Sequence, residues 1–172
     1  MYAIIDLETT GGKYNEEGVT EIAIYKFDGH KIVDEFVSLV NPEKPIQPFV
    51  VKLTGITEEM VKTAPKFSEI APKIIEITRG CLFIAHNVSF DYRMLRTEFK
   101  RLGSDYVRET LCTIEVSKQL IPDIASYSLG NLCKSLDIPI NGRHRASGDA
   151  LSTLHLFKIL LSKNIDQNII PH

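Results

Sequence analysis

Ile4-Ile5-Asp6-Leu7-Glu8-Thr9-Thr10-Gly11 puts two carboxylates into what otherwise reads as a buried strand. On a strand the side chains alternate, so Asp6 and Glu8 face one way while Ile5 and Leu7 face the other. Paired carboxylates in a low-dielectric setting repel, and one takes up a proton unless a cation sits between them. A divalent metal is the economical cation. Mg²⁺ prefers a few carboxylates with waters and substrate phosphate oxygens, which points to phosphate chemistry. An isolated Asp-x-Glu also marks the solvated end of many edge strands, so the motif needs support from elsewhere. Working outward, residues 2 to 8, 20 to 27 and 32 to 40 have strand character, and Asp28-Gly29 is a hairpin signal between the last two. The N-terminal part of the sheet is therefore expected to be antiparallel.

Support comes from residues 81 to 99. Cys81-Leu82-Phe83-Ile84-Ala85 reads as a buried strand and is followed by His86-Asn87-Val88-Ser89-Phe90-Asp91. Ser89 is expected to cap a helix whose apolar face is Phe90, Met94, Leu95, Phe99 and Leu102. Asp91 falls in its first turn, where unpaired amides and the helix dipole favour an ionised carboxylate, the form a metal requires. A third constellation is Asn141-Gly142-Arg143-His144-Arg145-Ala146-Ser147-Gly148-Asp149-Ala150, followed by a helical pattern of Ala150, Leu151, Leu154, Phe157 and Leu161. Asp149 is again near a helix start. His144 lies five residues earlier on a glycine-containing loop, and an imidazole suits proton transfer near neutral pH. A helix-start Asp or a loop His is commonplace alone; the weight lies in their combination.

The acids in order are Asp6, Glu8, Asp91 and Asp149, with His144 before the last. This set resembles the DEDDh family of 3′ to 5′ exonucleases, most closely the branch of the proofreading epsilon subunit of bacterial DNA polymerase III. The matching blocks are Asp-Leu-Glu-Thr-Thr-Gly at 6 to 11, Leu53-Thr54-Gly55-Ile56-Thr57, Ala85-His86-Asn87 through Phe90-Asp91, Tyr127-Ser128-Leu129, and His144 through Asp149-Ala150. They run in family order over about residues 1 to 162. The resemblance implies a ribonuclease H-like α/β fold, a mixed central sheet of three antiparallel N-terminal strands plus parallel strands, flanked by helices. It implies hydrolysis at the 3′ end of single-stranded DNA, releasing nucleoside 5′-monophosphates in proofreading or repair, with RNA 3′-end trimming or an inactive, polymerase-binding subunit as alternatives. Two divalent ions, Mg²⁺ or Mn²⁺, are implied, held by Asp6, Glu8, Asp91 and Asp149, with His144 as general base. Thr9, Thr10, Gly11, Leu53, Thr54, Asn87 and Phe90 are implied to meet the terminal nucleotide. The sequence departs from the family at Ser147, where Leu is frequent, and at Thr54, where His is frequent. His86 is expected to be a structural hydrogen-bonding residue, because the motif needs no second imidazole.

A distant likeness of Asp6-Leu7-Glu8-Thr9-Thr10 to the Asp-x-Asp-x-Thr start of haloacid-dehalogenase-type phosphatases is weak, since Glu8 replaces the second Asp and no paired-Asp motif follows. The rest of the chain fits one enzyme domain. With 172 residues, 44% of them hydrophobic and 24% charged, it can bury one full core. Residues 1 to 162 are expected to form the exonuclease domain, and 163 to 172 a polar tail, a fraying end or a linker to a fused domain. No apolar run approaches the roughly 20 residues of a membrane span and no leader is apparent, so a cytoplasmic location is expected. Cys81, Cys112 and Cys133 are expected to be core thiols. A net charge of −2 argues against coating long duplexes. Gripping a few terminal nucleotides needs less, and Arg93, Arg96, Arg143 and Arg145 are candidates for upstream phosphates. Between the motifs, a loop with Pro42, Pro45 and Pro48 leads to Leu53. Thr57 is expected to cap a short helix, and Ile70, Ile74, Ile75 and Ile77 outline another ended by Gly80, with Pro72 weakening its first turn. A short strand is expected near Tyr106-Val107, and helices near 112 to 120, 128 to 136 and 148 to 162.

Overall fold

The computed structural model describes residues 1–164 and 169–171, and the structural statements that follow concern these. The opening stretch becomes β1 (Tyr2–Thr9), the middle of a five-stranded sheet. β2 (Val19–Phe27) pairs antiparallel with β1, and β3 (Ile32–Leu39) antiparallel with β2. On the other side β4 (Leu82–Ala85) runs parallel to β1, and β5 (Thr110–Cys112) parallel to β4. The order is thus β3-β2-β1-β4-β5, the mixed sheet expected.

The alternation along β1 divides the core. Ala3, Ile5 and Leu7 pack with Ile74 of α3 (Phe67–Ile77) and Met94, Leu95 and Phe99 of α4 (Val88–Arg101). Tyr2 and Ile4 face the opposite layer, against Leu154 and Phe157 of α7 (Ala146–Lys163), with α5 (Thr113–Leu120) and α6 (Leu129–Ser135) beside it. Asp6 and Glu8 continue the Tyr2-Ile4 face and therefore look toward α7. The parallel pairing of β1 with β4 brings both carboxyl ends to one edge, the usual place for a ligand in such sheets.

Several local expectations are corrected. The Pro-rich approach to Leu53 is not all loop: α1 (Pro48–Thr54) begins with proline in its first turn and stops at Gly55, whose φ of 73° suits glycine. Thr57 caps α2 (Glu58–Lys62) as expected, accepting from the Met60 amide. α3 starts at Phe67 and runs through Pro72, its first turn held by the Glu69 carboxylate on the Lys66 amide at 2.7 Å. Asn87, not Ser89, is the N-cap of α4, with φ 71°; Ser89 lies inside the first turn, its hydroxyl donating to Asn87 Oδ1 at 3.1 Å. The strand expected near Tyr106 is at Thr110–Cys112 instead. Tyr106 is buried for another reason, stacking on Phe99 at 4.7 Å and donating to Thr78 Oγ1. Leu102 and Ile75, counted as apolar-face residues, are exposed. Cys81 and Cys133 are buried, and Cys112 is half-buried. After α7, Asn164 accepts from the amides of Ile169 and Ile170, and Ile170 joins the core. The rest of the expected tail, residues 165–168 and 172, lies outside the described residues.

Candidate active site

Asp6, Glu8 and Asp149 each offer a carboxylate oxygen within 4.8 Å of the others. β1 supplies the first two and the first turn of α7 the third. Asp91 comes from the first turn of α4 and is not part of that triad; its Oδ1 accepts from the Leu7 amide at 3.0 Å, pinning α4 to the strand between the other two acids. The site is thus built where two helix starts meet one strand end.

Its electrostatics show what such a gathering costs. Burial pushes the Asp91 carboxyl up to about 8, against the donation from Leu7. In the metal-free protein, desolvation outweighs the helix-start effect that favours an ionised Asp91. Glu8 is pushed up to about 7, first by burial and then by the charges of Asp149 and Glu21. Asp6 rises well above the carboxylate range through burial and the charges of Asp91, Glu8 and Asp149. A bound cation relieves this strain, and an all-oxygen donor set suits a hard divalent ion.

Asp149 is held by the 141–145 loop. Arg143 donates to its Oδ1 at 3.0 Å and the His144 amide to Oδ2 at 3.2 Å. His144 takes a left-handed φ of 59° to do so, and its imidazole has no hydrogen-bond partner among the described residues. Gly148 makes the packing possible, because a methyl group there would overlap the carbonyl oxygens of Asn141 and Gly142. α7 begins at Ala146, so Ser147 lies in its first turn.

Sequence reasoning missed Glu21. It sits opposite Glu8 on β2 and is 3% exposed. Arg145 donates to both its oxygens, at 3.0 and 2.6 Å, and the Ala146 amide adds a third bond at 2.8 Å. An acid inside the otherwise apolar run of residues 19 to 25 was the available signal. Arg145, a candidate phosphate ligand, is committed here, as Arg143 is to Asp149. Glu21→Ala strips the acceptor from three donors and frees the start of α7, so the protein is expected to lose about 2–4 kcal/mol, read as a lower urea midpoint at unchanged slope.

α1, which approaches the end of β1 at Gly11, presents apolar side chains. Leu53 is exposed on α1, and one turn earlier Phe49 is 64% exposed, a neighbour that sequence reasoning missed because α1 was not recognised. Gly11, with φ 67°, lets the β1 end approach α1 closely, since a Cβ there would lie 2.8 Å from Val50 Cγ2. Thr9 is buried, and its Oγ1 accepts from the Gly11 amide at 3.4 Å. Thr10 is a latch, its hydroxyl accepting from the Gly18 amide and its carbonyl from that of Gln47. The Thr54 hydroxyl turns inward to the Val50 carbonyl at 2.9 Å. Asn87 is exposed and Phe90 half-buried at the head of α4. His86 lies between Thr113 Oγ1 at 2.9 Å and the Tyr127 carbonyl at 3.0 Å. The carbonyl only accepts, so Nε2 carries the proton. Burial drives the ring down to about 4 and keeps it neutral, the structural role expected of it.

Comparison with known proteins bears on the family and the fold. A family model described as exonuclease matches residues 3–157. The DNA polymerase III PolC-type protein of Caldanaerobacter subterraneus is 38% identical over 162 residues, 94% of this chain and 12% of that protein. The 3′-5′ exonuclease DinG of Staphylococcus saprophyticus is 36% identical over 163 residues, 94% of this chain and 18% of its own length. The chain therefore spans less than a fifth of either relative. Among solved structures, exonuclease X in complex with 5′ overhanging duplex DNA superposes with a TM-score of 0.77 at 32% identity, over 94% of this chain and 92% of that one. The nuclease domain of 3′hExo, a DEDDh family member bound to rAMP, shares the fold, with a TM-score of 0.81 at 20% identity over 94% and 91%. The mixed sheet with flanking helices is accordingly the ribonuclease H-like one expected.

Proposed function

The chain belongs to the exonuclease family, and from that premise we propose that it removes nucleotides from the 3′ end of single-stranded DNA by phosphodiester hydrolysis, releasing nucleoside 5′-monophosphates. The observation that carries this reading is the convergence of Asp6, Glu8 and Asp149 at a strand end, with the Asp6 and Glu8 carboxyls driven up by burial and neighbouring charge. Asp6, Glu8, Asp149 and Asp91 are the residues to hold two divalent ions, Mg²⁺ or Mn²⁺. When bound, such ions neutralise the scissile phosphate, activate water and stabilise the leaving 3′ oxygen.

The chain's own groups do the rest. His144 takes the proton of the attacking water: its ring is free while its backbone is fixed to Asp149. Phe90 and Leu53, joined by Phe49, offer apolar surface to the terminal base, and such surface accepts any base because every base has a stackable face. Backbone at Thr9, Thr10 and Gly11, at the end of the strand that carries Asp6 and Glu8, and the side chain of Asn87, at the head of the helix that carries Asp91, are the groups to meet the same nucleotide. Thr54 contributes by closing α1 beneath Leu53. Proofreading or repair trimming is the role that fits the PolC-type and DinG relatives, with a polymerase or a fused C-terminal domain as partner. The work then belongs in the cytoplasm; among the described residues no helix is long and apolar enough to cross a membrane.

The test is digestion of 5′-labelled single-stranded DNA and sequence-matched RNA with Mg²⁺ or Mn²⁺, beside a chelator and Asp6→Ala. The expected result is a ladder shortening from the 3′ end, faster on DNA and absent in both controls. Faster shortening of RNA reassigns the domain to RNA trimming. No cleavage of either overturns the enzymatic reading in favour of a nucleic-acid-binding subunit.

A further inference from the structure

Resting on that exonuclease reading, we propose that the groove along the outer face of α4 binds the sugar-phosphate backbone of the strand upstream of the bond being cut. The groove encloses about 510 Å³ and lies between α4 and the loop at Tyr14-Asn15 that leaves the β1 end. Ser89, Arg93, Arg96 and Lys100 line it at helical spacing, so they form one stripe. The stripe starts in the turn that also carries Phe90 and Asp91, and the Arg93 guanidinium lies 5.4 Å from the Phe90 ring centroid, so the groove begins beside a residue assigned to the terminal base. From Ser89 to Lys100 the helix rises about 16 Å, room for roughly three to five nucleotides.

The two ends of the stripe are built differently. Arg93 is spent on construction: it donates to Glu17 at 2.8 and 3.2 Å and to Asn15 at 3.1 Å, and its guanidinium stacks on the Tyr14 ring at 4.4 Å. That fixes a 72% exposed aromatic ring at the groove wall. One face of the ring is covered by Arg93, and the other is available to a base. Arg96 and Lys100 are exposed and have no carboxylate within 4.0 Å among the described residues. Arg96 lies over Tyr92, its ring centroid 5.8 Å away. In a chain of net charge −2, two uncommitted cations beside a poised aromatic ring fit a polyanion carrying bases. Asp105, also on the groove wall, repels phosphate and marks where the strand departs.

The experiment compares wild type, the double variant Arg96→Glu/Lys100→Glu, and Tyr14→Ala on three probes: the p-nitrophenyl ester of thymidine 5′-monophosphate, oligo(dT) of three nucleotides, and oligo(dT) of twelve. Hydrolysis is measured with Mn²⁺, and binding of the oligomers by fluorescence anisotropy in chelator. The expected result is an unchanged rate on the ester, a small change on the trimer, and a loss of about 10–100-fold in kcat/KM and affinity on the twelve-mer for the double variant. Its salt dependence is expected to fall by about 1.4 in log–log slope, two phosphate contacts. Tyr14→Ala is expected to weaken the twelve-mer about 10-fold. Equal losses on ester and twelve-mer, or no loss on the twelve-mer, overturn the groove. If wild type cleaves nothing, the exonuclease reading fails, while the anisotropy arm still decides whether the groove binds the longer strand.

Discussion

Asp6→Asn will abolish hydrolysis and yet make the metal-free protein more heat-stable. Both effects come from one atom replacement. The side chain keeps its shape but loses the charge that burial and the three neighbouring acids disfavour. Without a carboxylate between Glu8 and Asp149 the ion site loses its central ligand, and activity is expected to fall on the order of 10³-fold or more. Stability moves the other way because the folded protein holds Glu8 near 7 and Asp91 near 8, above the ordinary values of 4.5 and 3.8. Groups raised in this way contribute fully when protonated in both states, and that contribution is lost as pH rises from the ordinary values to the raised ones, the last of it between about 7 and 8. The metal-free wild type is therefore expected to melt lower at about pH 8.5 than at about pH 6.5. His86, held near 4, acts in the opposite sense and only as the pH falls below its ordinary 6.5. In chelator at pH 8.5, Asp6→Asn is expected to melt on the order of 5 °C above wild type. Mn²⁺ will raise the wild type more at pH 8.5 than at 6.5, and the variant little at either. A variant that melts below wild type in chelator at both pH values would show that the acids do not repel one another as their burial implies.

The same site shows what a sequence can and cannot carry. Asp6 and Glu8 were legible because strand alternation alone sets them on one face, and the Asp28-Gly29 hairpin and the α4 and α7 patterns follow from local periodicity. α1 was hidden because its seven residues are too short for a periodic signal and its three flanking prolines suggest loop, although Pro48 and Gly55 were its start and stop. The Tyr106 strand was misplaced because burial by aromatic stacking looks, in one dimension, like burial in a sheet. Residue type favours Ser89 as the cap, but the backbone's left-handed turn at Asn87 decides otherwise. The Glu21–Arg145 pair lay beyond reach for a different reason: its members are 124 positions apart, and only the β1–β2 register and the docking of α7 bring them together. The raised carboxyl of metal-free Asp91 was out of reach in the same way, since a helix start is a local feature and desolvation is not.

The second large effect concerns a residue with no side chain. His144→Ala removes the proposed proton acceptor, so kcat is expected to fall about 10²–10⁴-fold with oligonucleotide affinity retained. Gly148→Ala is expected to cost nearly as much, at least 10²-fold, without removing any chemical group. Its methyl meets backbone carbonyls at Asn141 and Gly142, which cannot swing aside as a flexible side chain does, so the 141–145 loop must shift. That loop carries His144 and supplies both contacts to the Asp149 carboxylate. Misplacing reacting groups by an ångström is enough for losses of this size. The stability cost is expected to stay near 1–3 kcal/mol, the usual price of overpacking, so the fold survives. The two variants then separate on a second readout. His144→Ala keeps the acids in place and binds Mn²⁺ like wild type, whereas Gly148→Ala loosens Asp149 and weakens Mn²⁺ binding, measured by calorimetry. Ser147→Ala, one residue earlier and off the contact, is the control expected to change neither. If Gly148→Ala retains both kcat and Mn²⁺ affinity, the loop does not depend on that close approach, and the placement of His144 must be held from elsewhere.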